Sequence, residues 1–272
     1  MTKDPFRTRD HVANFEALIE DYKARSLATR ASLEAITGVA YGEGAGETLD
    51  IFLPMTPSGA DPVHLFIHGG YWRMFSKNEF SFIADTVTAG GAIAVIVDYD
   101  LMPEVRMSTI VGQIRNAVRW LAANISSYGG NAAQFSISGH SAGAHLATFT
   151  FSAGADVPKP ASALLLSGVY DLRPLQSSYL QPLIGLTDQE VTTFSPLLLS
   201  HEAGTRVVVA YGELETDPFR NQGADFARHL ASDGVSATTH ALQGADHMTA
   251  VRDLGLPGSA TGELLLTTIR GS

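Results

Sequence analysis

Ser141 stands between two glycines in Gly139-His140-Ser141-Ala142-Gly143, with the apolar run Phe135-Ser136-Ile137-Ser138 before it and small residues after it. A sharp strand-to-helix turn of this layout lifts a serine hydroxyl above a sheet edge, with the following amides pointing at whatever it attacks. Gly139 and Gly143 are expected to be required sterically, because a side chain at either place would strike the neighbouring strand or helix. Serine is a weak nucleophile until a base takes its proton and a third group holds that base. The base expected after the last strand is His247, in Gly244-Ala245-Asp246-His247-Met248. His140 and His145 flank the turn, where they pack or orient. For the third group, Glu215 lies three residues past Gly212, which closes the run Val207-Val208-Val209-Ala210-Tyr211. Asp217 is the alternative acid, although Asp before Pro218 is equally explained as a helix N-cap.

A tetrahedral intermediate needs amide donors aimed at its oxyanion. Ala142, next to the nucleophile, supplies one. Gly70 and Tyr71, in His68-Gly69-Gly70-Tyr71-Trp72 after an early strand, are expected to supply the others. Trp72, Phe75 and His140 are candidates for substrate contact; for the two aromatics, packing in the core is the competing reading.

These residues need a sheet to hold them. Val63–Ile67, Ala92–Val97, the Phe135 run, Ala161–Leu166, Arg206–Tyr211 and Ser236–Leu242 read as strands, several apolar throughout as in a sheet covered on both sides. Helical spacing falls between them, at 78–88, 108–125, 219–231 and 262–269. Strand–helix alternation predicts an α/β fold: a mostly parallel central sheet with helices on both faces. The whole chain, residues 1–272, is expected to be one domain. A helix over about 10–26 carries Val12, Phe15, Leu18, Ile19 and Tyr22 on one face, as a packing element or part of a substrate cover. The irregular stretch of about 171–196 is the expected small inserted cap.

Composition narrows the partners. The 272 residues carry a net charge of −10 and are 45% hydrophobic, which suits a folded domain and opposes nucleic-acid or anionic-membrane binding. The absence of cysteine excludes disulfides, thiolate metal sites and a cysteine nucleophile. Neither an apolar leader nor a membrane-length run is present, so a cytoplasmic location and a small-molecule substrate are expected. No metal and no cofactor is expected, and oligomeric state is not legible.

Together, His68-Gly69-Gly70-Tyr71-Trp72, Val97-Asp98-Tyr99-Asp100-Leu101, Gly139 to His145, Gly168 to Leu175 and Asp246-His247 resemble the α/β-hydrolase superfamily. More closely, the chain from about Ala40 to Val251 is similar to the kynurenine formamidase (arylformamidase) group and its bacterial carboxylesterase-like relatives. The resemblance implies the α/β-hydrolase fold and metal-free cleavage of an aryl formamide or small ester through an acyl-enzyme on Ser141. It carries the base onto His247 and the acid onto Glu215, where the family usually has Asp. A thioesterase and a non-catalytic ligand-binding protein are the other readings. Dehalogenase and epoxide-hydrolase chemistry would want Asp at position 141.

Overall fold

In the run Val63-His64-Leu65-Phe66-Ile67, alternate side chains enter opposite layers, as a strand covered on both faces requires. Leu65 and Ile67 join one core cluster and Phe66 the other. A computed structural model describes residues 3–271, so Met1, Thr2 and Ser272 lie outside the described residues. In chain order the elements are α1 (Phe15–Ser32), β1 (Ala35–Ala40), β2 (Thr48–Phe52), β3 (Asp61–Ile67), α2 (Lys77–Phe80), α3 (Ile83–Ala89) and β4 (Ile93–Val97). There follow α4 (Met107–Asn124), β5 (Gly130–His140), α5 (Ala142–Thr148), β6 (Ser162–Leu166), α6 (Gln181–Ile184) and α7 (Asp188–Phe194). The last five are β7 (Arg206–Gly212), α8 (Asp217–Ser232), β8 (Ala237–Leu242), α9 (His247–Leu254) and α10 (Ala260–Arg270).

The eight strands form one sheet in the order β1-β2-β4-β3-β5-β6-β7-β8. The β1–β2 and β2–β4 pairs are antiparallel and all others parallel, so β2 alone runs against the rest. On one face Ile110, Ile114 and Val118 of α4, the small residues of α5, and Phe226 and Leu230 of α8 pack against the sheet. On the other face the packing comes from Tyr22 of α1, Val87 of α3, Val251 of α9 and Leu265 of α10. The expected α/β architecture is thus present. The chain runs from β3 outward to β4 and then crosses to β5 on the other side of β3. That reversal opens a crevice at the carboxyl ends of β3 and β5, where open α/β sheets bind ligands.

Two expectations are corrected. The first helix runs over Phe15–Ser32 rather than about 10–26. A 3-10 turn at Thr8–Asp10 ends at His11, and Asn14, in a left-handed conformation with φ 57°, starts the helix afresh. Val12 is therefore buried outside the helix. The expected helix over 78–88 is split into α2 and α3, with Ser81 and Phe82 between them.

Candidate active site

Five strands end together at the crevice, and each delivers one part. After β5, Ser141 has φ 56° and ψ −116°, a conformation that costs a non-glycine residue about 1–3 kcal/mol. The turn is that tight because β5, α5 and β3 touch. A Cβ on Gly139 would lie 2.2 Å from the Gly143 carbonyl carbon, and one on Gly143 would lie 2.0 Å from the Ile67 oxygen. Both glycines are thus sterically required, as the sequence led us to expect. The Ser141 amide donates to the Leu166 carbonyl at 2.8 Å, which ties the turn to β6.

After β8, a helix begins at His247 itself. The Asp246 carboxylate accepts from the amides of Met248 and Thr249 at 2.9 and 2.8 Å, and this cap fixes where the imidazole starts. His247 Nδ1 lies 2.9 Å from Glu215 Oε2, with both side chains buried. Nδ1–H donates to the carboxylate, and Nε2 is left for another partner. The other Glu215 oxygen accepts from the Gly212 amide at 2.7 Å and from the Ser167 hydroxyl. Each carboxylate oxygen therefore has its own partner. Asp217, the alternative acid, is not in this group. It sits in the exposed first turn of α8 and pairs with Arg220.

After β3, the loop is strained in succession: Gly70, Tyr71 and Trp72 have φ of 108°, 52° and 58°. Of the six described non-glycine residues with positive φ, five (Tyr71, Trp72, Phe75, Ser141 and Ser167) belong to the strand-end loops of this crevice. Such concentration of strain is characteristic of functional sites. Gly70 and Tyr71 line the same small cavity as Ser141 and His247, and among the described residues their amides donate no backbone bond. Ala142, as the first residue of α5, has an amide without an intrahelical acceptor. The three expected oxyanion donors thus all lie beside Ser141.

The loop is braced from below. His68 stacks on Tyr99 with ring centroids 4.3 Å apart, and the Tyr99 hydroxyl donates to the His68 carbonyl at 2.9 Å. Asp98 accepts from the Lys77 amide and ammonium at 2.7 and 3.1 Å, and it lies 3.4 Å from His68 Nε2. Burial alone would raise the Asp98 pKa, but His68 and Lys77 outweigh it and keep the carboxyl below its usual range.

The three candidates for substrate contact separate. Phe75 and His140 line the cavity. His140 Nε2–H also donates to the His247 carbonyl at 2.9 Å. Burial, and then the neighbouring His247, hold the His140 pKa well below the usual histidine value, so the ring stays neutral. Trp72, in contrast, is a core residue. The positive φ values at Tyr71 and Trp72 turn the indole inward, where it is fully buried and donates to His145 Nδ1 at 3.2 Å. His145 Nε2–H in turn donates to the Phe194 carbonyl at 2.7 Å, and burial lowers its pKa to about 4.

Of the two segments named as possible cover, the N-terminal one lies over Ser141 and the 171–196 stretch does not. Thr8 and Phe15 of the N-terminal segment line the cavity, and no residue of 171–196 does. The Tyr71 hydroxyl donates to the Phe6 carbonyl at 2.6 Å, Thr216 to the Pro5 carbonyl at 2.7 Å, and the Tyr179 amide to Asp4 at 2.7 Å. These bonds latch residues 4–6 across the crevice. Segment 171–196 instead packs inward through Leu175, Leu180 and Ile184 and sends Tyr179 to the site's mouth.

The profile of the α/β-hydrolase fold matches residues 64–251, which is more than half of the chain. The chain belongs to the α/β-hydrolase family. Among its relatives, a kynurenine formamidase of Salmo salar is 33% identical over 242 residues, covering 85% of this chain and 79% of the relative. One of Danio rerio is 31% identical over 262 residues, covering 93% and 88%. A thioesterase candidate from Silicibacter sp. TM1040 shares the fold, with a TM-score of 0.84, 24% identity and coverage of 98% and 97%. As an α/β-hydrolase with such relatives, the chain is a hydrolase acting on small substrates. Among the described residues no helix is long and apolar enough to cross a membrane.

Ser167 and the His68–Asp98 brace were missed by reading the sequence, as was the latch of residues 4–6. The cap at Asp246 could have been found there, since Asp precedes the apolar positions Met248, Val251 and Leu254 at helical spacing.

Proposed function

We propose that the protein is a serine hydrolase that cleaves an aryl formamide or a short-chain carboxylic ester through an acyl-enzyme. Ser141 Oγ attacks the carbonyl carbon, and His247 Nε2 takes the hydroxyl proton. Glu215 holds the imidazole in the tautomer that leaves Nε2 free and stabilises the imidazolium as it forms. The amides of Gly70, Tyr71 and Ala142 receive the developing oxyanion. His247 then protonates the departing amine or alcohol. Water repeats the sequence on the acyl-enzyme and releases the acid.

The observation that carries this reading is the strained Ser141 facing the same cavity as a buried His247–Glu215 pair 2.9 Å apart. Size supports the substrate class. The cavity at Ser141 holds about 30 Å³, where roughly 10–15 Å³ accommodates one water. A space of this size suits a small acyl group. The formamidase relatives support the aryl formamide over the ester. A panel comparing N-formylkynurenine with matched short-chain aryl esters tests this choice. Faster turnover of the formamide is expected, and cleavage of the esters alone would remove the formamidase assignment.

A further inference from the structure

Away from the crevice, the far end of α8 carries a second group of chemistry-bearing side chains. His229 in its last turn and Asp233 just past it stand four residues apart and so share one face. His201, in the loop before β7, comes up against that face, and the His201 and His229 rings meet edge to face with centroids 5.7 Å apart. The loop is fixed there by its backbone: the Glu202 amide donates to the Phe151 carbonyl at 3.0 Å, and the Ala153 amide to the Ser200 carbonyl at 2.8 Å. Because α8 leads from the carboxyl end of β7 to the amino end of β8, the group lies at the opposite end of the sheet from Ser141, about 24 Å along the helix.

His201 is the member that hydrogen bonding does not explain. It is buried, and among the described residues neither of its ring nitrogens has a hydrogen-bond partner. A neutral imidazole carries one N–H donor and one acceptor, and leaving both buried and unmet is costly. Asp233 Oδ2 lies 3.5 Å from His201 Nδ1 and 3.5 Å from His229 Nε2, longer than a hydrogen bond. Those separations suit ligands around an ion instead. With bonds of about 2.0–2.2 Å, neighbouring corners of a tetrahedron stand about 3.3–3.6 Å apart. One ligand atom from each of the three residues lies within 4.8 Å of the other two. Asp233 Oδ2 also accepts from the His201 amide at 2.8 Å, which orients the carboxylate. The rings of Phe151 and Phe226, with centroids 5.7 and 5.2 Å from that of His201, give the group an apolar wall.

We propose that His201 Nδ1, His229 Nε2 and Asp233 Oδ2 form a structural site for one divalent transition-metal ion, Zn²⁺ by the donor set, with water as the fourth ligand. The lack of cysteine bears only on thiolate sites; two imidazoles and a carboxylate suit Zn²⁺. His229 Nε2, which lies 2.7 Å from the Leu199 carbonyl, exchanges that hydrogen bond for the ion. The ion ties the loop before β7 to the end of α8. Its place at the far end of the sheet makes it a fastening and keeps it out of the reaction at Ser141.

The test uses the full chain without a histidine tag, stripped with EDTA and dialysed. Titration with Zn²⁺ should show one equivalent bound, and Co²⁺ in its place should give the strong visible absorption of four-coordinate cobalt. Zn²⁺ well above its Kd should raise the thermal midpoint by about 5 °C or more, while kcat on 4-nitrophenyl acetate stays unchanged. His229→Gln and Asp233→Asn should each weaken Zn²⁺ binding by at least about 100-fold and remove the thermal shift. His240→Gln, at an exposed histidine of β8, should leave both intact. Absence of a bound equivalent on the wild type, or binding that survives both His229→Gln and Asp233→Asn, overturns the site. Activity lost on stripping and restored by Zn²⁺ would overturn its structural role. The wild-type titration needs no substitution, so a variant that fails to fold does not shield the site.

Discussion

At the scale of single residues, the acid is the sharpest discriminator. Glu215 contacts His247 and Asp217 is exposed beside Arg220. Glu215→Gln should therefore lower kcat about 10²–10⁴-fold by disturbing the tautomer and the imidazolium. Asp217→Asn disrupts only an exposed pair worth about 0–1 kcal/mol, and should change kcat less than threefold. Steady-state kinetics on 4-nitrophenyl acetate distinguish the two, and the reverse ranking would transfer the role to Asp217. Ser167→Ala removes one of the three contacts holding the Glu215 carboxylate. A hydrogen bond to a charged group contributes about 1.5–3 kcal/mol, so an activity loss of roughly 10–150-fold is the upper expectation, with the His247–Glu215 contact retained. Chain order and spacing made Ser141, His247 and Glu215 legible, because each follows the end of a strand that its own apolar run announces. Ser167 was not legible. Its role depends on a bond 48 positions along the chain, and one serine after a strand carries no signal of that contact.

At the scale of elements, the site depends on how helices start and where segments are latched. Asp246 caps α9 and so sets the position of His247. Asp246→Ala should cost about 0.5–2 kcal/mol of stability, read as a lower urea midpoint. It should also lower kcat, because the imidazole loses its fixed origin. Loss of stability with unchanged kcat would show that the cap does not position the base. The latch of residues 4–6 is a different matter. Tyr71→Phe removes the bond to the Phe6 carbonyl and should speed amide hydrogen exchange in residues 4–12 while sparing the sheet. The boundaries of β4 and β6 were readable to within one residue from composition because both strands are buried throughout, whereas β5 begins five residues before its apolar run. The latch that holds the cover in place was not, because the bonds from Tyr71, Tyr179 and Thr216 span 65, 175 and 211 positions. The irregular stretch at 171–196 looked like a lid only because it broke the alternation. Trp72 misled for a related reason: two successive positive φ values reversed its direction, and periodicity does not encode such a turn.

At the scale of the whole molecule, the fold followed from alternating apolar strands and amphipathic helices, but its buried histidines add a consequence for stability. Burial lowers His64 to about 3, and His145 and His201 to about 4, against 6.5 for an unperturbed histidine; nearby His229 adds to the effect at His201. With His140, also held neutral by burial, the unfolded chain between about pH 6 and 4.5 therefore binds up to four protons that the metal-free native state refuses. Stability falls as pH falls wherever the unfolded state binds more protons. The loss from these groups should approach about 5 kcal/mol per pH unit at most. Urea titrations across that window should show the decline, and a flat profile would contradict neutral burial of these rings. The central claim is that one sheet gathers Ser141, His247 and Glu215 into a working nucleophile. Labelling the full chain with a fluorophosphonate, followed by intact-mass measurement and peptide mapping, tests it most directly. One adduct is expected, on Ser141, absent in Ser141→Ala and formed at least 10²-fold more slowly in Glu215→Gln. No adduct on the wild type, or an adduct on another residue, would contradict the account.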